Sequence, residues 1–456
     1  MPNLAPRGSL WFASALLPSG WTQNVRIGIA GGRIEQVETG VECTWADERH
    51  AIGVAGAGNV HSHAFQRGIA GLSEHRRGSD SFWSWRDAMY GFVQKLTPEQ
   101  LEAIAAQAYV EMLESGITRV GEFHYLHHAV DGSHYADIAE HANRLCAAAS
   151  ETGIGMSLLP VLYAHGGIGG QPTTPSQRRF VNSLDSFARL LEGCRRSIEQ
   201  LDFGVVGIAA HSLRAVTPDE LRDLAPLAQN RPIHIHIAEQ EEEVRQWQAF
   251  ANCRPVEWLL DHAAVDERWC LVHATHLSEA EVPRLAASGA TVGLCPITEA
   301  NLGDGLFPAK QYLALGGHFG IGTDSNVLIN FAEELRLLEY GQRLVHRERN
   351  ALHGSAERST GRSLFDRSLD GGCRVLGERC GQLTPGYVAD IMALTDDHPS
   401  MAQRRGDALL DSWIFAGAPA IHSVWSAGRK VVANGRHHAR ERIAARFTET
   451  LRELQD

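Results

Sequence analysis

From residue 57 to residue 324, short apolar runs alternate with longer amphipathic stretches. The runs fall at 57–63, 117–123, 156–163, 203–212, 232–239, 268–275, 290–297 and 317–324. Each has strand length and little polar alternation, the pattern of a strand buried on both faces of a parallel sheet. The stretches between them open on helix-start signals. Thr97-Pro98-Glu99-Gln100 offers an N-cap, a proline in the first turn and a capping-box glutamine, and Thr217-Pro218-Asp219-Glu220 and Ser278-Glu279-Ala280-Glu281 repeat the plan. Eight such βα units predict an α/β fold of the (β/α)8 TIM-like barrel type. A doubly wound open sheet is the rival, but no Gly-x-Gly-x-x-Gly fingerprint supports it. Gly166-Gly167-Ile168-Gly169-Gly170 lacks phosphate-cradle spacing and reads as a mobile wall or lid.

The two chain ends read differently. Ser9–Ala13, Val25–Ala30 and Arg33–Val37 are strand-like, with a turn at Gly31-Gly32. Strands return at Ala389–Leu394, Ile421–Ser426 and Arg429–Val432, and Ala439–Leu454 is an amphipathic surface helix. Pairing the two ends gives one small β domain. The expected domains are therefore 1–54 and 385–456 for that β domain, the second with the terminal helix, and 55–384 for the barrel.

Composition narrows the function classes. The formal net charge is −12 with no basic tract, which speaks against nucleic-acid binding. No apolar stretch of roughly 18 residues or more predicts a membrane span, and Met1–Arg7 lacks the plan of a signal peptide. The eight cysteines form no Cys-x-x-Cys, which fits reduced thiols in the cytoplasm.

The chemistry gathers at strand ends, where barrel active sites lie. The first run ends in His61-Ser62-His63, whose imidazoles share one face of an extended strand. The fifth reads Ile233-His234-Ile235-His236-Ile237-Ala238-Glu239, the sixth ends in His273 and the eighth in Asp324. Three imidazoles and a carboxylate from this set could hold one divalent transition metal with a position open for water. Each residue also has a plain structural reading: His234 as a core histidine, Asp324 as a helix N-cap, Glu239 as the first turn of a helix.

The joint pattern resembles the amidohydrolase superfamily, a barrel with a β-sandwich from both termini. Its His-x-His, its histidines on strands five and six and its strand-eight aspartate all have counterparts here. Two-metal members bridge their ions with a carboxylated lysine on strand four; this chain has no lysine between Lys95 and Lys310. The resemblance therefore implies one metal, held by His61, His63, His236 and Asp324, and zinc suits the set, though iron, manganese or nickel could occupy it. A narrower resemblance is to the formimidoylglutamate deiminases of histidine degradation. It is carried by His61–Arg67, Phe82–Arg86, Glu122–Tyr125 and Cys295–Gly305. One departure is Val54-Ala55-Gly56, where the superfamily usually has proline before the glycine.

That resemblance implies hydrolysis of N-formimino-L-glutamate to N-formyl-L-glutamate and ammonia by a metal-activated hydroxide at the formimino carbon. Asp324 would orient or accept the water's proton, Glu239 would carry a proton to the leaving nitrogen, and His273 would hydrogen-bond the hydroxide or the developing charge, unless it is a fifth ligand. Loops above the barrel supply candidates for the substrate's two carboxylates: Gln66, Arg86, Tyr125, His211 and Arg214. Trp83 and Trp85 are expected to close their loop against the barrel. A homodimer is the family-level expectation. The alternatives are a deaminase of a heterocycle such as guanine or a triazine, and a metal-free scaffold protein; Arg86 and Arg214 argue against the first and the complete ligand set against the second.

Overall fold

A computed structural model describes residues 8–75, 81–417 and 420–455; Met1–Arg7 lie outside the described residues. The N-terminal strands are β1 (Gly8–Leu17), β2 (Gly20–Ala30), β3 (Arg33–Glu38) and β4 (Glu48–Ala55). The chain then enters β5 (Ala57–Ser62), β6 (Ile117–His124), β7 (Gly155–Leu162), β8 (Val205–Val206) with β9 (Ile208–Ser212), β10 (Ile233–Ile237), β11 (Trp269–His273), β12 (Thr291–Leu294) and β13 (His318–Ile321). These pair in parallel in the order β6-β5-β13-β12-β11-β10-β9-β7, and β6 pairs with β7 to close the ring. β8 and β9 together form the fourth position. Every expected strand is present, and the fold is the (β/α)8 barrel.

The terminal strands β14 (Ile391–Leu394), β15 (Ile421–Ser426), β16 (Arg429–Ala433) and β17 (Arg436–His437) join the N-terminal ones in one continuous sheet. Its order is β17-β16-β15-β14-β4-β1-β2-β3, so β4 and β14 sit side by side and tie the two chain ends together. The last helix, Arg440–Gln455, packs on the helix Pro98–Glu114.

Helix starts follow the sequence signals. Thr97 and Thr217 each close a capping box, with Gln100 and Glu220. At Ser278 the reciprocal bonds with Glu281 form, at 2.7 and 3.3 Å, but the helix begins only at Glu281. One expected loop is a helix. Phe82–Val93 is helical after Ser81, whose N–H is accepted by Ser84 Oγ at 3.0 Å. Arg86 therefore sits on a regular element.

The barrel floor is closed by the C-terminal end of the helix Thr360–Leu376, whose Val375 and Leu376 pack with Val60, Cys270, Val272 and Cys295. Carbonyls at a helix end lack intrahelical partners. Here Ser157 Oγ donates to Leu376 O at 2.6 Å, and His234 Nε2 meets Val375 O at 2.9 Å. His234 is thus a structural core residue. Gly371 lets this helix touch β13: a Cβ there would lie 1.9 Å from the carbonyl oxygen of Phe319. Backbone cannot yield as a side-chain tip can. Gly371→Ala is expected to cost about 3 kcal/mol or more, read as a loss of soluble protein or a large fall in Tm. Gly91→Ala, on an exposed helix face with nothing within 4 Å of a built Cβ, should leave Tm level or raise stability by about 0.5–1 kcal/mol.

Candidate active site

Strand period two turns His61 and His63 toward the barrel's C-terminal mouth, and β10 and the end of β13 bring His236 and Asp324 to the same point. Four donor atoms, one each from His61, His63, His236 and Asp324, lie within 4.8 Å of one another, and all four residues are buried. His61 Nε2 is 3.2 Å from His63 Nε2 and 3.0 Å from His236 Nε2. Asp324 Oδ1 is 3.3 Å from both His61 Nε2 and His63 Nε2. Two ligands at about 2.05 Å from a tetrahedral zinc are roughly 3.3 Å apart, so this spacing fits one ion.

The imidazoles are prepared for that task. His63 Nδ1 is bonded to Phe123 O at 3.0 Å and His236 Nδ1 to His211 O at 2.9 Å. A carbonyl can only accept, so each Nδ1 carries the proton and each Nε2 presents a lone pair. Burial lowers the pKa of all three rings, that of His61 to about 3, and keeps them neutral.

A buried side-chain network clips β5 to the end of β13, which share the single backbone register Ile321↔Asn59. Asn59 Nδ2 donates to Thr323 Oγ1 at 2.7 Å, Thr323 Oγ1 to Asn326 Oδ1 at 2.6 Å, and Asn326 Nδ2 to His63 O at 3.0 Å. The N–H groups of Thr323 and Asp324 both donate to His61 O at 3.0 Å. Sequence reasoning missed Asn59, Thr323 and Asn326; the first two carried the signal of a polar side chain inside an apolar run, and Asn326, just past the last run, carried none. Asp324 has φ +42°, and Asn330 caps the helix that follows, so the N-cap reading of Asp324 does not hold.

Glu239 precedes its helix, which starts at Glu241, and its carboxylate faces the site. Oε2 is 3.3 Å from Arg214 Nη2 and Oε1 is 3.8 Å from His273 Nε2. Burial raises the Glu239 pKa above the ordinary carboxylate range, against the pull of His273 and Arg214. For His273 burial opposes the charged form, yet Glu239, Glu299 and Asp324 outweigh it and lift the pKa to about 10. His273 Nε2 stays 3.8 Å from Asp324 Oδ2 and lies outside the four-donor group.

A cavity of about 710 Å³ opens above these residues, and His63, His236, Glu239 and Asp324 form its floor. Gln66, Arg86, Tyr125, His211 and Arg214 all line it. Gln66 Nε2 donates to Tyr125 Oη at 3.0 Å. Arg86 Nε, Arg214 Nε and Gln66 Oε1 are buried with no partner among the described residues. Such groups are costly unless a ligand satisfies them. Trp83 does more than close a loop, for the Arg86 guanidinium rests 4.4 Å from its ring centre. The glycine-rich segment lines one wall through Gly166, Gly167 and Ile168, in a turn closed by Gly166 N–H to Gln171 O at 2.8 Å.

The model of the amidohydrolase family matches residues 52–436, and that of the formimidoylglutamate deiminase HutF N-terminal domain matches residues 11–51. A formimidoylglutamate deiminase of Pseudomonas aeruginosa is 49% identical over 97% of this chain and 98% of its own. The chain belongs to the formimidoylglutamate deiminases of the amidohydrolase family. A crystal structure of an amidohydrolase from Brucella melitensis superposes with a TM-score of 0.95 at 52% identity, over 98% of this deiminase chain and all of the other, 100%. More distant is a 5-methylthioadenosine/S-adenosylhomocysteine deaminase of Natronomonas pharaonis, 25% identical over 86% of this chain and 83% of its own. Amidohydrolases are metal-dependent hydrolases, and this deiminase carries a His/Asp group of the kind that holds an ion.

Elemental analysis of the purified deiminase should therefore find about one divalent ion per chain. His236→Ala should retain about a tenth of that or less. His273→Asn should load like the wild type; loss of the ion from that variant would make His273 a ligand.

Proposed function

We propose that this chain hydrolyses N-formimino-L-glutamate to N-formyl-L-glutamate and ammonia. One observation carries the reading: a single cavity joins the His61, His63, His236 and Asp324 group to Glu239 and to the two guanidinium groups of Arg86 and Arg214. A cationic amidine wants a carboxylate beside it, and a dicarboxylate tail wants cations. A flat neutral heterocycle would leave the Arg86 guanidinium, whose buried Nε has no partner among the described residues, without a counter-charge in a confined pocket.

His61, His63, His236 and Asp324 would hold one divalent ion, zinc by its preference for nitrogen and oxygen donors in a fourfold set. When bound, such an ion lowers the pKa of a water and supplies a hydroxide nucleophile near neutral pH. The chain's own groups do the rest. Arg86, held over Trp83, and Arg214, through an Nε without a partner among the described residues, bind the glutamate carboxylates, with Gln66, Tyr125 and His211 as neutral partners. Glu239 accepts a hydrogen bond from the amidine N–H, then receives from Asp324 the proton taken from the water and passes it to that nitrogen, so that it departs as ammonia. Its raised pKa suits a group that must both hold and release a proton. His273 donates from Nε2 to the oxygen on which charge develops. Asp324 takes up the proton of the water.

The same reading keeps the barrel at 55–384 and a small domain from 1–54 and 385–456. It places the enzyme in the cytoplasm, for which eight free cysteines speak. It also has the enzyme act as a homodimer, for which exposed Leu344 and Val345 offer apolar surface.

Ammonia release should be measured with N-formimino-L-glutamate, N-formimino-L-aspartate, guanine and cytosine. We expect the glutamate derivative to lead the aspartate one by about tenfold or more in kcat/KM and the heterocycles to be inert. Turnover of a heterocycle with neither formimino acid would overturn the substrate assignment. Glu239→Gln is expected to lower kcat by about 10²–10⁴-fold at unchanged metal content; full activity would remove Glu239 from the reaction.

A further inference from the structure

Cys295–Gly305 is among the stretches that carry the family resemblance, and none of the roles above falls within it. The short helix Pro296–Leu302 follows β12, and the Glu299 side chain turns back from it toward the barrel. Glu299 Oε1 accepts the Cys295 N–H at 2.9 Å and lies 3.2 Å from His273 Nδ1. Both residues are buried, at 5% exposure for Glu299 and 1% for His273.

His273 needs outside help to present the correct edge. Its backbone stands at φ +67° and that of Ala274 at +46°, a region that non-glycine residues seldom occupy. Its ring stacks on that of His236, with centroids 5.6 Å apart and planes 10° from parallel. Stacking fixes the plane of the ring. It does not fix the flip within that plane, which exchanges a nitrogen for a C–H at the edge facing the site. Only one flip puts Nε2 between Glu239 Oε1 and Asp324 Oδ2, 3.8 Å from each. A carboxylate accepts and cannot donate, so Glu299 selects the flip with Nδ1–H toward itself.

We propose that Glu299 is a positioning residue that sets the ring flip and the Nδ1 proton of His273, and so aims Nε2 at the reacting oxygen. The proposal rests on the deiminase reading for its kinetic consequence alone. The competing role is purely local, a side chain that satisfies the Cys295 N–H at the start of its own helix. That role would lower stability on removal and leave turnover alone.

The test uses the metal-loaded enzyme and the variants Glu299→Ala and Glu299→Gln. Glu299→Ala should lower kcat at least 30-fold, with KM within threefold and metal content unchanged. Glu299→Gln, which keeps an oxygen acceptor in place, should return kcat to within about fivefold of the wild type. A Glu299→Ala enzyme with kcat within threefold of wild type and only a lower Tm would overturn the proposal and leave the helix-start role. A second readout needs neither turnover nor a folded alanine variant. ¹H–¹⁵N NMR of histidine-labelled wild type, with the signal assigned through His273→Gln, should show a slowly exchanging, strongly downfield Nδ1–H of His273, the mark of a bond to a carboxylate, that moves upfield in Glu299→Gln; an Nδ1–H signal that Glu299→Gln leaves in place overturns the proposal. If the wild type fails to turn over N-formimino-L-glutamate, the substrate reading fails by itself, and the NMR result still decides the flip.

Discussion

The structure depends on holding three neutral imidazole nitrogens and a carboxylate oxygen almost in contact. His61 Nε2 stands 3.0 Å from one imidazole nitrogen and 3.2 Å from another. Lone pairs that face each other at such distances repel, and a cation between them converts the repulsion into binding. The protein must resist the repulsion before the ion arrives. It does so by drawing the four donors from three strands of a closed barrel and backing two of the imidazoles with carbonyl oxygens. His63 leans on the carbonyl of Phe123 and His236 on that of His211. His61 is held through its own backbone, which accepts the N–H groups of Thr323 and Asp324. Asp324 and His273 both occupy left-handed backbone conformations. Strain of this sort persists where the surroundings over-determine the geometry, and it gathers at active sites.

The floor of the barrel answers the same demand from below. The helix that ends at Leu376 drives two apolar side chains into the barrel and has its last carbonyls bonded by Ser157 and His234. A wider residue than glycine at 371 would push this helix off β13. Stability is thus concentrated at the lower end and chemistry at the upper end, the usual division of labour in this architecture. His234 and His236 show it within one strand. Period two turns both inward; one serves the floor and the other the metal group.

The eight strands were legible because strands buried on both faces read as unbroken apolar runs, and most helix starts because capping is a local affair of four residues. The metal group was legible because histidines two apart on a strand share a face, and strand ends are where a barrel collects its chemistry. What sequence could not show were relations between distant positions. Asn59 and Thr323 are 264 residues apart and bonded at 2.7 Å. The contact between Glu299 and His273 has the same character. The helix Phe82–Val93 buries Phe82, Met89, Tyr90 and Val93 at helical spacing, but the aromatic cluster at its start drew the reading toward a loop. That error mattered, since a regular element fixes Arg86 more firmly than a loop would.

The end of strand four shows how closely the metal group and the substrate pocket are joined. That strand ends in Ala210-His211-Ser212. The carbonyl of His211 takes the Nδ1 proton of His236 and so orients an imidazole of the metal group, while its ring lines the cavity among Tyr125 and Tyr163. One residue therefore fixes an imidazole with its backbone and shapes the substrate's space with its side chain. The geometry of the His/Asp group and the shape of the pocket thus meet at the same strand end.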